Sequence, residues 1–143
     1  NGCIAKFRCT YEDGTVEAVS YDAAGREIGR RALRTAGPET QLRAVPEAGA
    51  VKPGGLAYIR LQYTDENGTL KPLERGVLTV DVQGGRLLGL GSACPYNEIG
   101  FVASRTDTYY GEALAVVQAG ETGAVELSVT DSVRTGKASV EIG

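Results

Sequence analysis

The sequence predicts an all-β protein in which an antiparallel β-sandwich follows a short three-stranded β-meander. Many short stretches alternate apolar and polar residues, as strands with one buried face do. The chain has 20 Gly and 5 Pro among its 143 residues, which suits a protein with many tight turns. No long stretch has the apolar spacing of an amphipathic helix. These observations together favour strands throughout.

Residues 4–33 are predicted to form the meander, because Asp- and Gly-containing turns separate three alternating segments. Such a small sheet needs another surface over its apolar face. We therefore expect partial exposure, strand exchange or self-association around Phe7 and Val16. Gly37 and Pro38 break strand pairing, so the boundary is placed between residues 1–36 and residues 37–143. The three segments are IAKFRCT, TVEAVSY and REIGRRAL.

The remainder of the chain is predicted to form the sandwich, with about seven strands at the turn spacing of an immunoglobulin-like domain. The Cys-Trp-Cys core of antibody domains is absent, so this kinship is one of architecture. One segment, ALAVV, is apolar on both faces and is predicted to be a central strand. The seven segments are QLRAV, LAYIRLQYT, VLTVDVQ, RLLGLG, ALAVV, AVELSVT and KASVEI.

The composition excludes several kinds of site and partner. The chain has no His, so Ser-His and Cys-His nucleophile pairs and His-ligated zinc are impossible within it. The acidic turn at residues 65–68 does not have the register of an EF-hand loop, and no cofactor or metal is predicted. A net charge of −3 with scattered basic residues argues against nucleic acid. No apolar run approaches the roughly 20 residues of a membrane-spanning helix, so no membrane partner is predicted.

The cysteines do not predict a disulfide framework. Cys3 and Cys9 are six residues apart on one predicted strand, about 20 Å at 3.3 Å per residue, whereas a disulfide needs Cα atoms within about 7 Å. Pairing either with Cys94 would leave an odd thiol, so free thiols and a reducing compartment such as the cytoplasm are favoured. The chain begins at Asn1 without an initiator Met, which indicates a piece of a longer protein.

The candidate site is an irregular loop at residues 91–100 that contains Tyr96, Asn97 and Glu98, together with Tyr109 and Tyr110 at the start of the next strand. Irregular loops on a rigid scaffold commonly carry function or an interface. One hypothesis is contact with another domain or subunit, since interfaces favour Tyr at their centres. The alternative is carbohydrate binding, with tyrosine rings stacked on a pyranose and polar arms beside them.

Several motifs are similar to a known family. GTVEAVSYDAAGREIGRRALRTAGP resembles the end of the small β-domain that follows the catalytic barrel in bacterial β-galactosidases of glycoside hydrolase family 2. TDENGTLKPL, LTVDVQGGRLLGLGSACPYN and TYYGEALAVVQAGETGAVELSV resemble the C-terminal immunoglobulin-like domain of the same enzymes. In that domain the last motif reads Y-x-G-x-A-L-x-I-x-R-A-G-x-x-G-x-I-x-L. The resemblance covers nearly the whole chain.

The resemblance implies a non-catalytic accessory region of a retaining glycosidase whose catalytic glutamates lie on an upstream barrel, with the upstream domains as partners. Cys94 and Gln118 depart from the family's usual Asn and Arg, which puts polar contacts through those two positions in doubt. Asn97-Glu98 is similar to the family's Asn followed by its acid/base Glu. Retention needs a second carboxylate about 5 to 5.5 Å away, and the sequence identifies none, so Glu98 is interpreted as a surface residue.

Overall fold

The computed structural model describes residues 4–143 and divides the chain after Thr35 into two compact units. The first unit contains one antiparallel hairpin, with β1 at Thr15–Tyr21 and β2 at Glu27–Arg34. The turn between them is closed by Asp22, whose Oδ1 accepts hydrogen bonds from the backbone N–H groups of Ala24 and Arg26, both at 2.9 Å. This hairpin occupies the second and third predicted strands of the meander.

The prediction of a three-stranded meander is wrong in its first strand. Residues 4–13 form no regular secondary structure, although Phe7 and Cys9 alternate with polar residues as a strand would. Every residue from Ile4 to Gly14 is exposed, and Phe7 is 89% exposed. An alternating segment becomes a strand when a neighbouring strand pairs with its backbone and another layer covers its apolar side. Among the described residues, no strand pairs with residues 4–13 and their side chains are exposed.

The second unit is a sandwich of two sheets. The five-stranded sheet has the order β4-β11-β10-β6-β8, and the four-stranded sheet has the order β3-β5-β9-β7. All pairings are antiparallel except that of β4 with β11. The strands are β3 Gln41–Pro46, β4 Ala50–Val51, β5 Leu56–Thr64, β6 Val77–Gln83, β7 Gly85–Gly91, β8 Arg105–Asp107, β9 Glu112–Ala119, β10 Gly123–Thr130 and β11 Thr135–Ile142.

The core lies between the two sheets and is built by the alternation visible in the sequence. The inward side of β5 buries Ala57, Ile59, Leu61 and Tyr63, and the facing strands bury residues at the same period of two. On the other strands the buried set includes Leu78, Val80, Ala113, Ala115, Val117, Val125, Leu127, Val129 and Val140. Because each of these side chains is removed from water, burial is worth about 1.5–3 kcal/mol for the larger ones.

The predicted all-β class and immunoglobulin-like sandwich are confirmed, and no helix occurs among residues 4–143. In particular, no helix of the described chain is long and apolar enough to cross a membrane. The ALAVV segment is central, since β9 lies between β5 and β7. The sandwich has nine strands where about seven are predicted, because β4 and β8 are edge strands of two and three residues. Such short strands show no periodicity.

A buried carboxylate and a half-buried lysine attach the loops to the sandwich. Asp65 is almost fully buried, and its carboxylate accepts the backbone N–H groups of Gly37, Asn67 and Thr69 at 2.9, 2.9 and 2.7 Å. These hydrogen bonds, that of Gly37 first, lower the pKa of Asp65 below its ordinary value. Lys71 Nζ donates to the carbonyl oxygens of residues 37–39. The acidic turn is therefore a loop anchor, and its principal carboxylate is fully engaged by backbone donors.

A second polar cluster joins the core to the turn between β10 and β11. The hydroxyl of buried Tyr63 donates to Asp131 Oδ2 at 2.9 Å, and Arg134 Nη1 donates to the same oxygen at 2.9 Å. Oδ1 of Asp131 accepts the backbone N–H groups of Val133 and Arg134. Burial alone raises the pKa of Asp131, but these donors together lower it to about 2. The carboxylate is thus held ionised.

Candidate functional site

The loop between β7 and β8, residues 92–104, carries three of the predicted site residues in different environments. Tyr96 is 85% exposed, and Glu98 is also exposed. Asn97 is half-buried, and its Oδ1 accepts the backbone N–H of Ile99 at 3.1 Å. Its buried Nδ2 has no hydrogen-bond partner among residues 4–143. Asn97 therefore shapes the loop, whereas Tyr96 and Glu98 are presented outward.

The other two predicted residues form a tight turn that leads into β9. Tyr109 and Glu112 exchange backbone hydrogen bonds of 2.9 and 3.2 Å, and the two residues between them, Tyr110 and Gly111, have φ values of 51° and 76°. Positive φ at both central positions defines a type I′ turn. The rings of Tyr109 and Tyr110 meet edge to face, with centroids 4.5 Å apart. Tyr109 is half-buried, and Tyr110 is 60% exposed.

The surroundings of Tyr109 raise its pKa above the ordinary value. Tyr110 raises the pKa of the Tyr109 phenol, as do burial and the nearby thiol of Cys94. Arg75 lowers the pKa of Tyr109.

An open groove of about 540 Å³ lies on the outer face of the four-stranded sheet. Of the predicted site residues, Tyr109 lines this groove, whereas Tyr96, Asn97, Glu98 and Tyr110 do not line it in the described structure.

The floor of this groove is formed where β9 and β7 run side by side. Leu114 and Val116 project outward from β9, and their cross-strand partners on β7 are Gly91 and Gly89. Because Gly89 has no side chain, a trough lies open beside Val116. The ring of Phe101 bounds it and lies so close to Gly91 that a Cβ there would collide with the ring. Leu90 N–H donates to the Phe101 carbonyl at 2.8 Å, which fixes the loop against β7.

The rim of the groove is polar. Arg60 Nε and Nη2 both donate to Glu47 Oε1 at 3.0 Å, which joins β5 to the end of β3. Gln62 Nε2 donates to Oε1 of Glu112 at the end of the groove near Tyr109. Ser92 also lines the groove, and its buried Oγ has no hydrogen-bond partner among residues 4–143. An apolar, partly aromatic floor with a few polar groups is typical of small-molecule sites.

Sequence reasoning missed most of this groove. The sequence places Arg60 on an alternating strand and Glu47 in the turn after QLRAV, and it assigns no role to Phe101. The one available signal is the spacing of Gly89 and Gly91, which places two glycines on the same face of a strand.

The described residues hold no cluster of three or more Cys, Asp or Glu side chains arranged for a metal ion. Cys9 is an exposed free thiol and Cys94 is a half-buried free thiol. Cys3, the third predicted free thiol, lies outside the described residues. The residues that line the groove offer an apolar floor, aromatic rings and hydrogen-bonding groups.

Solved structures with the same fold come from glycosidases, two of which are described as members of glycoside hydrolase family 2. A member of that family from Bacteroides cellulosilyticus DSM 14838 is 26% identical, with a TM-score of 0.80 over 91% of this chain and 18% of that chain. A β-glycosidase from Bacteroides vulgatus is 23% identical, with a TM-score of 0.81 over 92% of this chain and 18% of that chain. A family 2 β-glucuronidase is 17% identical, with a TM-score of 0.76 over 94% and 15% of the two chains.

The last two structures are 23% and 17% identical to this chain, so their similarity supports only a shared fold. The chain spans less than a fifth of the length of each of these proteins. No curated protein matches it. The sequence profile of glycoside hydrolase family 2 C-terminal domain 5 matches residues 42–140, which is most of the chain and nearly all of the sandwich. The chain therefore belongs to the glycoside hydrolase family 2 C-terminal domain 5 family.

Proposed function

We propose that this chain is a non-catalytic accessory part of a retaining family 2 glycoside hydrolase and that it packs against other domains or subunits of that enzyme. Residues 37–143 would be the C-terminal immunoglobulin-like domain, and residues 1–36 the tail of the small β-domain before it. The contact surface would be the loop with Tyr96, Asn97 and Glu98 and the turn with Tyr109 and Tyr110.

One observation carries the packing role. The core of the sandwich is closed, yet the loop at 92–104 exposes large side chains, with Tyr96 and Phe101 more than half exposed and Val102 at 92%. Single exposed apolar residues are ordinary, whereas a cluster of them beside an exposed tyrosine turn is typical of an interaction surface. An interface of this kind gains from Tyr, which contributes area with little loss of side-chain entropy.

The packing role is tested in the longer enzyme by the change Tyr96→Ala. We expect a weaker assembly by sedimentation velocity, or a lower unfolding temperature of the whole enzyme, with the fold of the isolated chain unchanged. Leu73→Ala is the matched control, because Leu73 is 90% exposed and lies outside this surface. Equal behaviour of both variants and the parent would contradict the packing role.

The absence of catalysis is tested on the 143-residue chain itself. Glu98 is exposed, and the sequence assigns no second carboxylate to it. We expect no turnover of a chromogenic β-galactoside. Turnover that is abolished by Glu98→Gln would show instead that the loop is catalytic.

The substrate class of the longer enzyme is a second and more specific proposal. The motifs of this chain resemble those of β-galactosidases, while one of the similar structures is a β-glucuronidase. We favour β-galactosides as the substrate class. The discriminating assay compares hydrolysis of 4-nitrophenyl β-galactoside with that of the corresponding β-glucuronide by the longer enzyme, and a preference for the glucuronide would reject the β-galactosidase type.

A further inference from the structure

We propose that the groove on the outer face of the four-stranded sheet binds a neutral pyranose residue of a saccharide. This inference does not depend on the packing role of the loop. It differs from a stacking platform made by Tyr96, because that side chain projects away into solvent and does not line the groove. A volume of about 540 Å³ lies within the range of roughly 300–1,000 Å³ found for small-molecule sites.

The floor suits the apolar face of a sugar ring. Leu114 and Val116 supply apolar surface, and the missing side chain at Gly89 leaves room for a flat ring beside Phe101, whose own ring covers Gly91. Aromatic faces are electron-rich, so they attract the axial C–H groups on one face of a pyranose. Tyr109, half-buried at the other end, offers both a ring and a phenol hydroxyl.

The rim suits hydroxyl groups. Arg60 uses Nε and Nη2 on one oxygen of Glu47, so Nη1 of Arg60 and Oε2 of Glu47 have no partner among residues 4–143. Glu112 likewise uses only Oε1 in its hydrogen bond with Gln62. A carboxylate accepts hydrogen bonds, and a guanidinium donates them. Two neighbouring sugar hydroxyls can bond to the carboxylate and the guanidinium together, because each hydroxyl donates one hydrogen bond and accepts others.

The charge of the rim selects neutral over acidic sugars. Among the residues that line the groove, Glu47 and Glu112 are acidic and Arg60 is basic, so the lining carries a net charge of −1. A uronate, sulfate or phosphate group would bring a like charge next to these carboxylates and would be disfavoured. A neutral hexose carries no such penalty.

The backbone around the groove disfavours an extended peptide. Peptides that add to a sheet do so through unpaired main-chain groups at an edge. β9 is paired on both sides, with β5 and with β7. At the groove, the free edge of β7 is already used, since Leu90 N–H donates to the Phe101 carbonyl. A saccharide needs none of these groups.

The test is an NMR titration of the 143-residue chain with methyl β-galactopyranoside, methyl β-glucopyranoside, their β-linked disaccharides, and methyl β-glucopyranosiduronate. We expect saturable amide shifts at Gly89, Gly91, Phe101 and Leu114 with at least one neutral glycoside, and about tenfold weaker binding of the uronate. Absence of saturable shifts at these positions with every neutral glycoside, or uronate binding as tight as the best neutral sugar, would overturn the proposal.

The matched variants are Gly89→Leu and Gly49→Leu. A Cβ at Gly89 has only the Phe101 carbonyl oxygen near it, at 3.7 Å, and one at Gly49 has nothing within 4 Å, so both variants should fold. Gly89→Leu places a side chain beside Val116 in the groove and should weaken binding about tenfold or more, whereas Gly49→Leu should leave it unchanged. If Gly89→Leu instead abolishes concentration-dependent self-association and no glycoside binds, the groove is an interface between copies and the proposal is wrong.

Discussion

At the scale of single residues, Asp131 makes the stability of the sandwich depend on pH. Its pKa is about 2 in the folded chain against an ordinary value of 3.8. A lowered pKa stabilises the fold above the unfolded value, so the contribution is complete above about pH 4 and is lost as pH falls through 2. The difference corresponds to roughly 2 kcal/mol, since one pKa unit is about 1.4 kcal/mol.

We therefore expect Asp131→Asn to lower the free energy of unfolding by roughly 2 kcal/mol at neutral pH, because Tyr63 and Arg134 lose their charged acceptor. In urea titrations the difference from the parent chain should shrink as pH falls from about 4 to about 2. The control is Asp81→Asn, at an exposed position on β6. A difference that stays constant down to pH 2 would show that the charge of Asp131 is not the cause.

At the scale of elements, the Tyr109–Glu112 turn positions the start of β9 by close backbone contact. A Cβ at Gly111 would lie 2.5 Å from the Lys71 carbonyl oxygen, in addition to requiring a side chain at φ 76°. Gly123, the first residue of β10, has φ 88° but nothing within 4 Å of its Cβ position. The two glycines thus share the backbone strain and differ in the steric contact.

We expect Gly111→Ala to destabilise the chain by about 2–3 kcal/mol and Gly123→Ala by about 1 kcal/mol, both measured by urea unfolding. The excess at Gly111 reports the contact with the Lys71–Pro72 segment. Equal losses for the two variants would mean that this segment moves away freely. A shift of the Tyr109 and Tyr110 ring signals in Gly111→Ala alone would show that the same contact orients the tyrosine turn.

The elements also show what sequence reasoning can and cannot reach. The long strands β5 and β10 were predictable because alternation along eight or nine residues identifies a buried face, and β9 was predictable because its ALAVV segment is apolar on both faces. The same reasoning predicts a strand at residues 4–10 that is not formed, since alternation does not reveal whether a partner strand exists. The groove was not predictable, because it depends on the cross-strand register that places Gly89 beside Val116 and Gly91 beside Leu114.

At the scale of the whole molecule, the hairpin of β1 and β2 leaves an apolar pair uncovered in the described structure. Val16 and Leu33 are directly opposite each other across the two strands, at 64% and 79% exposure. Exposed hairpins with an apolar face are prone to pair with another surface. We propose that this face associates with a second copy of the chain, or with an upstream domain where one is present.

For the 143-residue chain alone, we expect a concentration-dependent rise in sedimentation coefficient that the double change Val16→Thr and Leu33→Thr suppresses. Thr keeps the β-branched shape that strands favour while removing apolar surface from the shared face. Val19→Thr is the matched control, because residue 19 projects from the opposite face of β1. If the parent chain stays monomeric across the concentration range, or if Val19→Thr suppresses association equally, the Val16–Leu33 face is not the contact. If the double variant suppresses association and Val19→Thr does not, the Val16–Leu33 face is the surface through which residues 1–36 contact a second copy.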